Sequence, residues 1–477
     1  MKTADVSVPM AWMVRRADLI TLVTCIGIIT LFSVGLLRLA LDGHPLSVID
    51  EHIHFDYAVR VSQGELPWRG AVLGPQLLHE WACGVGHEGG GLPYACGDPR
   101  LSIDDIPSGK LSSGYGHYPT FFLGAAATEA VLAWTTGLSD PLTAFRVFSA
   151  LTMILGVVSC AIFGWLIGLR TWGLIAATVV PVAASMIVFA GTIVNPSSTA
   201  ILTGSLIAGT GILWMQRGRG FVWLALAAAF SAMIAVTDSL AVGGFGLAML
   251  IAIVGPRFGL VADEVWRPKW WQLLVLIAVT VAPIVAWGQY IRVTATVPNS
   301  ALYGFIPPAG RKDILIGAAQ ELATLHTPWR ETGGIWADPV GLVPRLLNGV
   351  SFGIPLWITV LVIGGLVMAV GRRWLEFSRS KRPDLTDDVK RGRVSLMDPT
   401  LLLAVGTLMT LVLYPPALRI SNWITFGFNF GVVDRYSNNL APLLVLLALL
   451  LLKNSWYARI LAILGSVGAI GVVAAGL

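Results

Sequence analysis

Acidic and imidazole side chains crowd one short stretch of this sequence: Asp50, Glu51, His52, His54 and Asp56, with Tyr57 next and Glu65 a little further on. Adjacent carboxylates suit general-base work, since one is held ionised while the other orients a neighbour or is raised in pKa. If a helix begins here, Asp50, His54 and Tyr57 fall at i, i+4 and i+7 and share a face, with Glu51 beside them. Plainer chemistry fits the same residues. An Asp followed by a first-turn Glu is an ordinary helix start, one capping it and the other complementing its dipole. Asp50, His52, His54 and Asp56 are also the donor types of a zinc site. Alternate residues converge on a strand rather than a helix, however, and no His-Glu-x-x-His motif is present. A divalent metal is compatible with the pattern but not required by it, and no cofactor is firmly implied. A Ser-His-Asp hydrolase lacks its Gly-x-Ser-x-Gly elbow.

The elements that must position these residues are membrane helices. Of 477 residues, 55% are hydrophobic and only 12% charged, against about 25% charged in a soluble domain. The 52 Gly and 18 Trp suit membrane helices and their interfacial belts. Disorder, coiled coil, collagen and a disulfide-dense scaffold are excluded. The net charge of +5 is no sign of nucleic acid as a partner, because no basic stripe interleaves with aromatics. Apolar runs suited to a hydrocarbon core of about 30 Å fall near 19–41, 146–169, 173–194, 197–215, 220–237, 240–255, 271–291, 347–370, 398–415, 437–452 and 459–476. The expected fold class is an all-α polytopic membrane protein of about 11 transmembrane helices. The first run follows Arg15 and Arg16, is too long for a signal peptide and lacks a small-residue cleavage site, so it reads as an uncleaved span with a cytoplasmic N-terminus.

One further apolar stretch, 118–137, decides the sidedness. If it lies along the outer surface as a juxtamembrane helix, as Glu129 in its middle suggests, more than half of the 32 basic residues fall in the short inner segments. If it crosses, the basic segment 371–398 lands outside, against the positive-inside rule. The first version puts segments 42–145, 292–346 and 416–436 outside, together with all seven His residues: His44, His52, His54, His79, His87, His117 and His326. Segment 371–398 is then a solvated cytosolic linker, basic enough to touch anionic membrane lipid. Cys83 and Cys96 share an outer loop in an oxidising compartment, where a disulfide is expected; Cys25 and Cys160 lie inside apolar runs as small core residues. The chain divides into a membrane module at 1–291, an outer loop at 292–346 that could serve as lid or acceptor surface, and C-terminal helices at 347–477. Within that loop Lys312 to Leu325 suits an amphipathic helix, followed by His326, Pro328, Trp329 and Arg330. Asn195-Pro196 and Asp238 sit in tight outer turns, where hairpin geometry or capping explains them as well as function does.

The run from Asp50 to Trp68, followed after a long insert by Gly116-His117-Tyr118-Pro119, resembles the first outer loop of GT-C-type membrane glycosyltransferases. The protein O-mannosyltransferases and lipid-A aminoarabinose transferases are the nearest patterns. Asp50-Glu51 match the acidic pair, His54-Phe55 the His-Phe one residue late, and His117-Tyr118-Pro119 the start of a juxtamembrane helix, with Thr120 in place of the second Pro. Arg146 before Ser149-Ala150 resembles the family's Arg-x-x-Ser-Ala, Val194-Asn195-Pro196 its Asn-Pro turn, and Arg435-Tyr436 before Leu440-Ala441-Pro442 its Arg-Tyr. The insert, which holds the Cys pair, and the lack of a soluble carbohydrate-binding domain depart from the pattern and bear on acceptor recognition.

The resemblance implies a GT-C-like bundle that carries a sugar from a polyprenyl-phosphate donor to an acceptor hydroxyl, with inversion, at the outer face of the plasma membrane. The acceptor would be protein or polysaccharide. In that scheme Asp50 is the base, Glu51 orients the acceptor or holds the site, and a basic residue binds the lipid phosphate: Arg435 first, Arg146 second. His54, His117, Asn195 and Tyr436 would line the substrate. Snorkelling at a helix end is the alternative for both arginines. The competing class is a non-enzymatic lipid-linked sugar binder, transporter or flippase, which should carry ionisable residues at the bilayer midplane; here they gather at one surface.

Overall fold

The computed structural model describes residues 16–47, 50–84, 91–258, 266–298, 309–330, 342–380 and 399–476. Among these, β structure is limited to one antiparallel bridge between Val72 and Leu111. The helices in chain order are α1 (Arg16–Leu41), α2 (Glu51–Ser62), α3 (Pro75–Cys83), α4 (Pro119–Thr136), α5 (Pro141–Leu166), α6 (Thr171–Val179), α7 (Ser185–Ala190) and α8 (Ala200–Arg217). They continue with α9 (Phe221–Ile234), α10 (Leu240–Val254), α11 (Trp270–Thr294), α12 (Arg311–Ala323), α13 (Leu342–Ser380), α14 (Pro399–Phe426), α15 (Ala441–Leu452) and α16 (Ser455–Gly476). Among the described residues nine helical stretches are long and apolar enough to cross a membrane, and two shorter ones, Thr171–Val182 and Phe221–Ile234, occupy the remaining expected positions. The chain is an all-α polytopic membrane protein. Segment 118–137 forms α4, which packs on α2 and α5 and is not among the nine.

α10 lies along α14, α5 along α8 and α13 along α16. Their buried faces form one apolar core, of which Leu36, Met153, Ile201, Phe245, Leu403 and Leu444 are members. A second, smaller core under the first long loop joins Phe55 and Tyr57 of α2 to Phe121 and Phe122 of α4 and Phe145 of α5. That core fixes α2, and with it the acidic pair, on the end of the bundle. α4 and α5 approach closely at Gly124, where a Cβ would lie 2.3 Å from the Phe148 ring and force it to shift. The disulfide Cys83–Cys96 closes the Gly-rich loop after α3, and Cys25 and Cys160 are buried thiols.

Three expectations change. The run 173–194 is not one span: α6 ends at Val179, a 3-10 turn covers Val180–Val182, Ala184 is extended, and α7 is short. Pro181 lacks the N–H that a continuous helix needs. The run 398–415 does not stop at its prolines, because α14 carries Pro415 and Pro416 within it and ends at Phe426. The first residues of the expected linker 371–398 are helical, as the 39-residue α13 runs to Ser380. No proline interrupts it there, and Glu376 meets both Arg372 and Arg373 at 3.2 Å, one turn back. The rest of that segment, 381–398, lies outside the described residues, as do His87 and residues 299–308 and 331–341.

Candidate functional site

Asp50 stands at the N-terminus of α2 with a left-handed backbone, φ 60° and ψ 0°. Asp and Asn visit that region more readily than other side-chain-bearing residues. Its carbonyl accepts the N–H groups of Ile53 and His54 at 3.1 Å and so starts the helix. Its side chain makes no capping bond. The carboxylate, 52% exposed, instead accepts Arg435 Nη2 at 3.0 Å. The capping reading of Asp50 therefore fails on geometry, and the carboxylate faces a cation and solvent together.

Glu51 turns the opposite way and is fully buried. It accepts Arg146 Nε at 2.7 Å on one oxygen and Arg146 Nη2 at 2.9 Å on the other, plus the N–H groups of Val194 at 3.0 Å and Ser47 at 2.7 Å. Arg146 gives its remaining contacts to the carbonyls of His44 and Pro45. A buried ion pair is tolerable only when its polar atoms are matched in this way. The pair also explains how the broken run 173–194 survives. Unwound backbone inside a membrane protein must find partners in the protein. His44 Nε2 reaches Thr192 O at 3.1 Å, His54 Nδ1 reaches Val194 O at 2.9 Å, and Trp329 Nε1 donates to Val180 O at 2.9 Å.

A carbonyl only accepts, so His54 Nδ1 carries hydrogen. Burial, reinforced by His117 nearby, holds the His54 pKa well below its ordinary value, so the ring is neutral and Nε2 accepts. His117 Nε2 lies 3.2 Å away and must be the donor. Burial likewise lowers His117; Asp50 opposes that shift and Arg435 adds to it. Tyr57 stacks on Phe122 with centroids 3.9 Å apart and donates to His117 O, tying α2 to the start of α4. Burial also pushes the His52 pKa down to about 4. His52 faces Ser108 and Trp81, while Asp56 takes Arg60 Nε at 2.9 Å and Gly74 N at 2.6 Å. The four residues weighed as zinc ligands thus point to different partners, and among the described residues no three His, Cys, Asp or Glu gather as a metal needs.

Arg435 reaches Asp50 from a 3-10 turn, Asp434–Leu440, which leads into α15. Asn439 bolts that turn down: its Oδ1 accepts Ala241 N at 2.7 Å and its Nδ2 donates to Thr203 Oγ1 at 3.0 Å. Beside it the buried Asp238 accepts Thr199 Oγ1 at 2.6 Å.

No family model matches the chain, and no curated protein matches it either. Among solved structures it is similar to ArnT from Cupriavidus metallidurans bound to undecaprenyl phosphate. The identity is 13% and the TM-score 0.45, over 95% of this chain and 75% of that one.

The structure gathers Asp50, Arg435, His54 and His117 at one place and sets the other candidates apart. Arg146, the second choice as phosphate ligand, is 1% exposed and committed to Glu51 and two carbonyls, which leaves it no face for a substrate. Glu51, fully buried with four donors upon it, is likewise committed to partners within the protein. Asn195 is 5% exposed and its Oδ1 caps the turn at Ser197 N. Tyr436 is half-buried against the main core, with the Arg435 guanidinium 5.8 Å from its ring centre. Sequence reasoning did not foresee that Asp50 and Arg435, 385 residues apart, form a pair; no local pattern encodes it. It also missed a second polar cluster, in which His326 lies between Glu321 and Asp434 and Arg419 binds Glu321. The local signs of that cluster were the amphipathic run that is now α12 and the His326 that follows it.

Proposed function

We propose that the protein transfers a sugar from a polyprenyl-phosphate donor to an acceptor hydroxyl at the outer face of the plasma membrane, with inversion. The Asp50–Arg435 pair carries this reading: an exposed carboxylate, turned away from its own helix, beside a guanidinium at the same mouth of the bundle. The acceptor oxygen forms a bond to the anomeric carbon as the bond from that carbon to the phosphate oxygen breaks. Asp50 takes the hydroxyl proton, and the polyprenyl phosphate leaves with the bonding electron pair. A phosphate is a doubly accepting, charged partner that a guanidinium grips well. Its arrival at Arg435 competes with Asp50 for that cation and so frees the carboxylate to meet the acceptor. Glu51 and Arg146 act behind the site by fixing the start of α2 against the unwound stretch at 191–195.

The test is transfer of labelled sugar from a polyprenyl-phosphate donor into native membranes, comparing wild type with Asp50→Asn at equal expression. The variant should lose transfer by at least about a hundredfold, the usual scale for removing a general base. Equal labelling would take Asp50 out of the chemistry. Retention of donor lipid with no transfer by wild type would favour a binder or transporter instead.

A further inference from the structure

His326 is 6% exposed, and each of its ring nitrogens faces a carboxylate. Nδ1 lies 2.9 Å from Asp434 Oδ1 and Nε2 2.5 Å from Glu321 Oε2. Carboxylate oxygens accept, so both nitrogens carry hydrogen and the ring is an imidazolium. The charges around it among the described residues come from three elements. Glu321 comes from α12 and also takes Arg419 Nε of α14 at 3.0 Å and Val432 N at 3.3 Å. Asp434 opens the turn that holds Arg435, and Arg330 Nε stands 3.8 Å from its other oxygen. The segment around His326 is anchored elsewhere too, since Trp329 is fully buried and Thr327 Oγ1 lies 3.2 Å from Thr359 Oγ1 of α13.

We propose that protonated His326 is a positioning residue that braces Arg435: it clamps Asp434, the residue before Arg435, to α12 of the outer loop, and the brace releases when the imidazolium loses its proton. The proposal rests on the reading of Arg435 as the phosphate ligand. Deprotonation leaves one nitrogen lone pair facing a carboxylate lone pair, so the clamp turns from attraction to repulsion, and the turn that carries Arg435 loosens. The bond to Asp434 raises the His326 pKa most; burial opposes that, and Glu321 adds to it. The sign follows. With the folded pKa above the ordinary 6.5, the clamp is complete below that value and is lost as pH rises through the raised pKa.

The experiment measures both sugar transfer and thermal unfolding of the detergent-solubilised full chain from about pH 6, near the ordinary imidazole pKa, upward, for wild type, His326→Gln and Asp434→Asn. Wild type should lose transfer roughly tenfold per pH unit beyond the raised pKa, as its imidazolium fraction falls, with a parallel drop in Tm. His326→Gln should transfer less than wild type at low pH and show neither limb. Asp434→Asn, which keeps the shape but removes the larger charge partner, should move both limbs to lower pH. A purely structural role would lower Tm without shifting a limb. Identical pH profiles in the three proteins overturn the brace, whatever the activity. No transfer by wild type at any pH, with the Tm limbs as stated, instead overturns the glycosyltransferase reading, and with it the role for Arg435, while leaving the clamp.

Discussion

The two carboxylates of the acidic pair are one residue apart and physically opposite. Asp50 is in a left-handed conformation that sends its side chain out to Arg435, and Glu51, the first residue of the helix, is sealed against Arg146. That contrast makes a prediction with two arms. Glu51→Gln leaves the Arg146 guanidinium buried without its counter-charge, a loss of about 3–5 kcal/mol in comparable buried pairs. Asp50→Asn keeps a residue that tolerates the left-handed region and removes one half of a partly exposed pair, about 0–1 kcal/mol. Thermal unfolding in detergent should therefore show a large fall in Tm for Glu51→Gln and little for Asp50→Asn, although Asp50→Asn is the one that, on the proposed mechanism, should lose transfer. Equal losses of Tm would mean that both carboxylates are structural. Two like residues thus sit in opposite environments, one sealed in an ion pair and the other exposed beside Arg435.

At the scale of elements, the site exists because three irregular pieces meet: the loop before α2, the unwound stretch between α6 and α8, and the turn before α15. Gly204 of α8 shows how tightly the last is seated. A Cβ there would lie 2.2 Å from the backbone oxygen of Asn439 and 3.2 Å from Pro442 Cδ. Gly204→Ala must push the Arg435 turn away, at a cost of about 1–3 kcal/mol for overpacking, and should lower Tm and transfer together. Gly246→Ala on α10, where a Cβ meets nothing within 4 Å, is the matching control and should change neither. A variant Gly204→Ala with native transfer would show that the placement of the turn is irrelevant to function. The same irregular pieces mark where the sequence was legible and where it was not. Long apolar runs disclosed most of the helices, because hydrophobic length is a local property. The break at Pro181 was hidden inside an apolar run whose composition never changes. The partners that stabilise it, Glu51, His54 and Trp329, lie far away in the chain. Asp50 was visible as a candidate from its neighbours alone, whereas its pairing with Arg435 and the clamp at His326 are products of tertiary packing that no spacing announces.

For the whole molecule, the question is which end of the bundle faces out, and α4 governs it. The 32 basic residues of the chain favour the end bearing Arg372 and Arg373 as cytosolic, which would place the Asp50–Arg435 site outside with the Cys83–Cys96 loop. That orientation also suits the chemistry, since a disulfide persists in an oxidising compartment. Two single cysteines decide it: Ser139→Cys in the exposed turn between α4 and α5, and Ser380→Cys at the end of α13. The native cysteines do not interfere, because Cys83 and Cys96 are bonded to each other and Cys25 and Cys160 are buried. A membrane-impermeant thiol reagent applied to intact cells should label Ser139→Cys at once and Ser380→Cys only after permeabilisation. If α4 crossed the membrane, every later helix would be inverted and the two results would exchange. The site would then be split, with α2 on one side and the turn bearing Arg435 on the other, yet the side chains of Asp50 and Arg435 meet at 3.0 Å. That contact argues against a crossing α4, and an exchanged labelling pattern would overturn the placement of the site at the outer face.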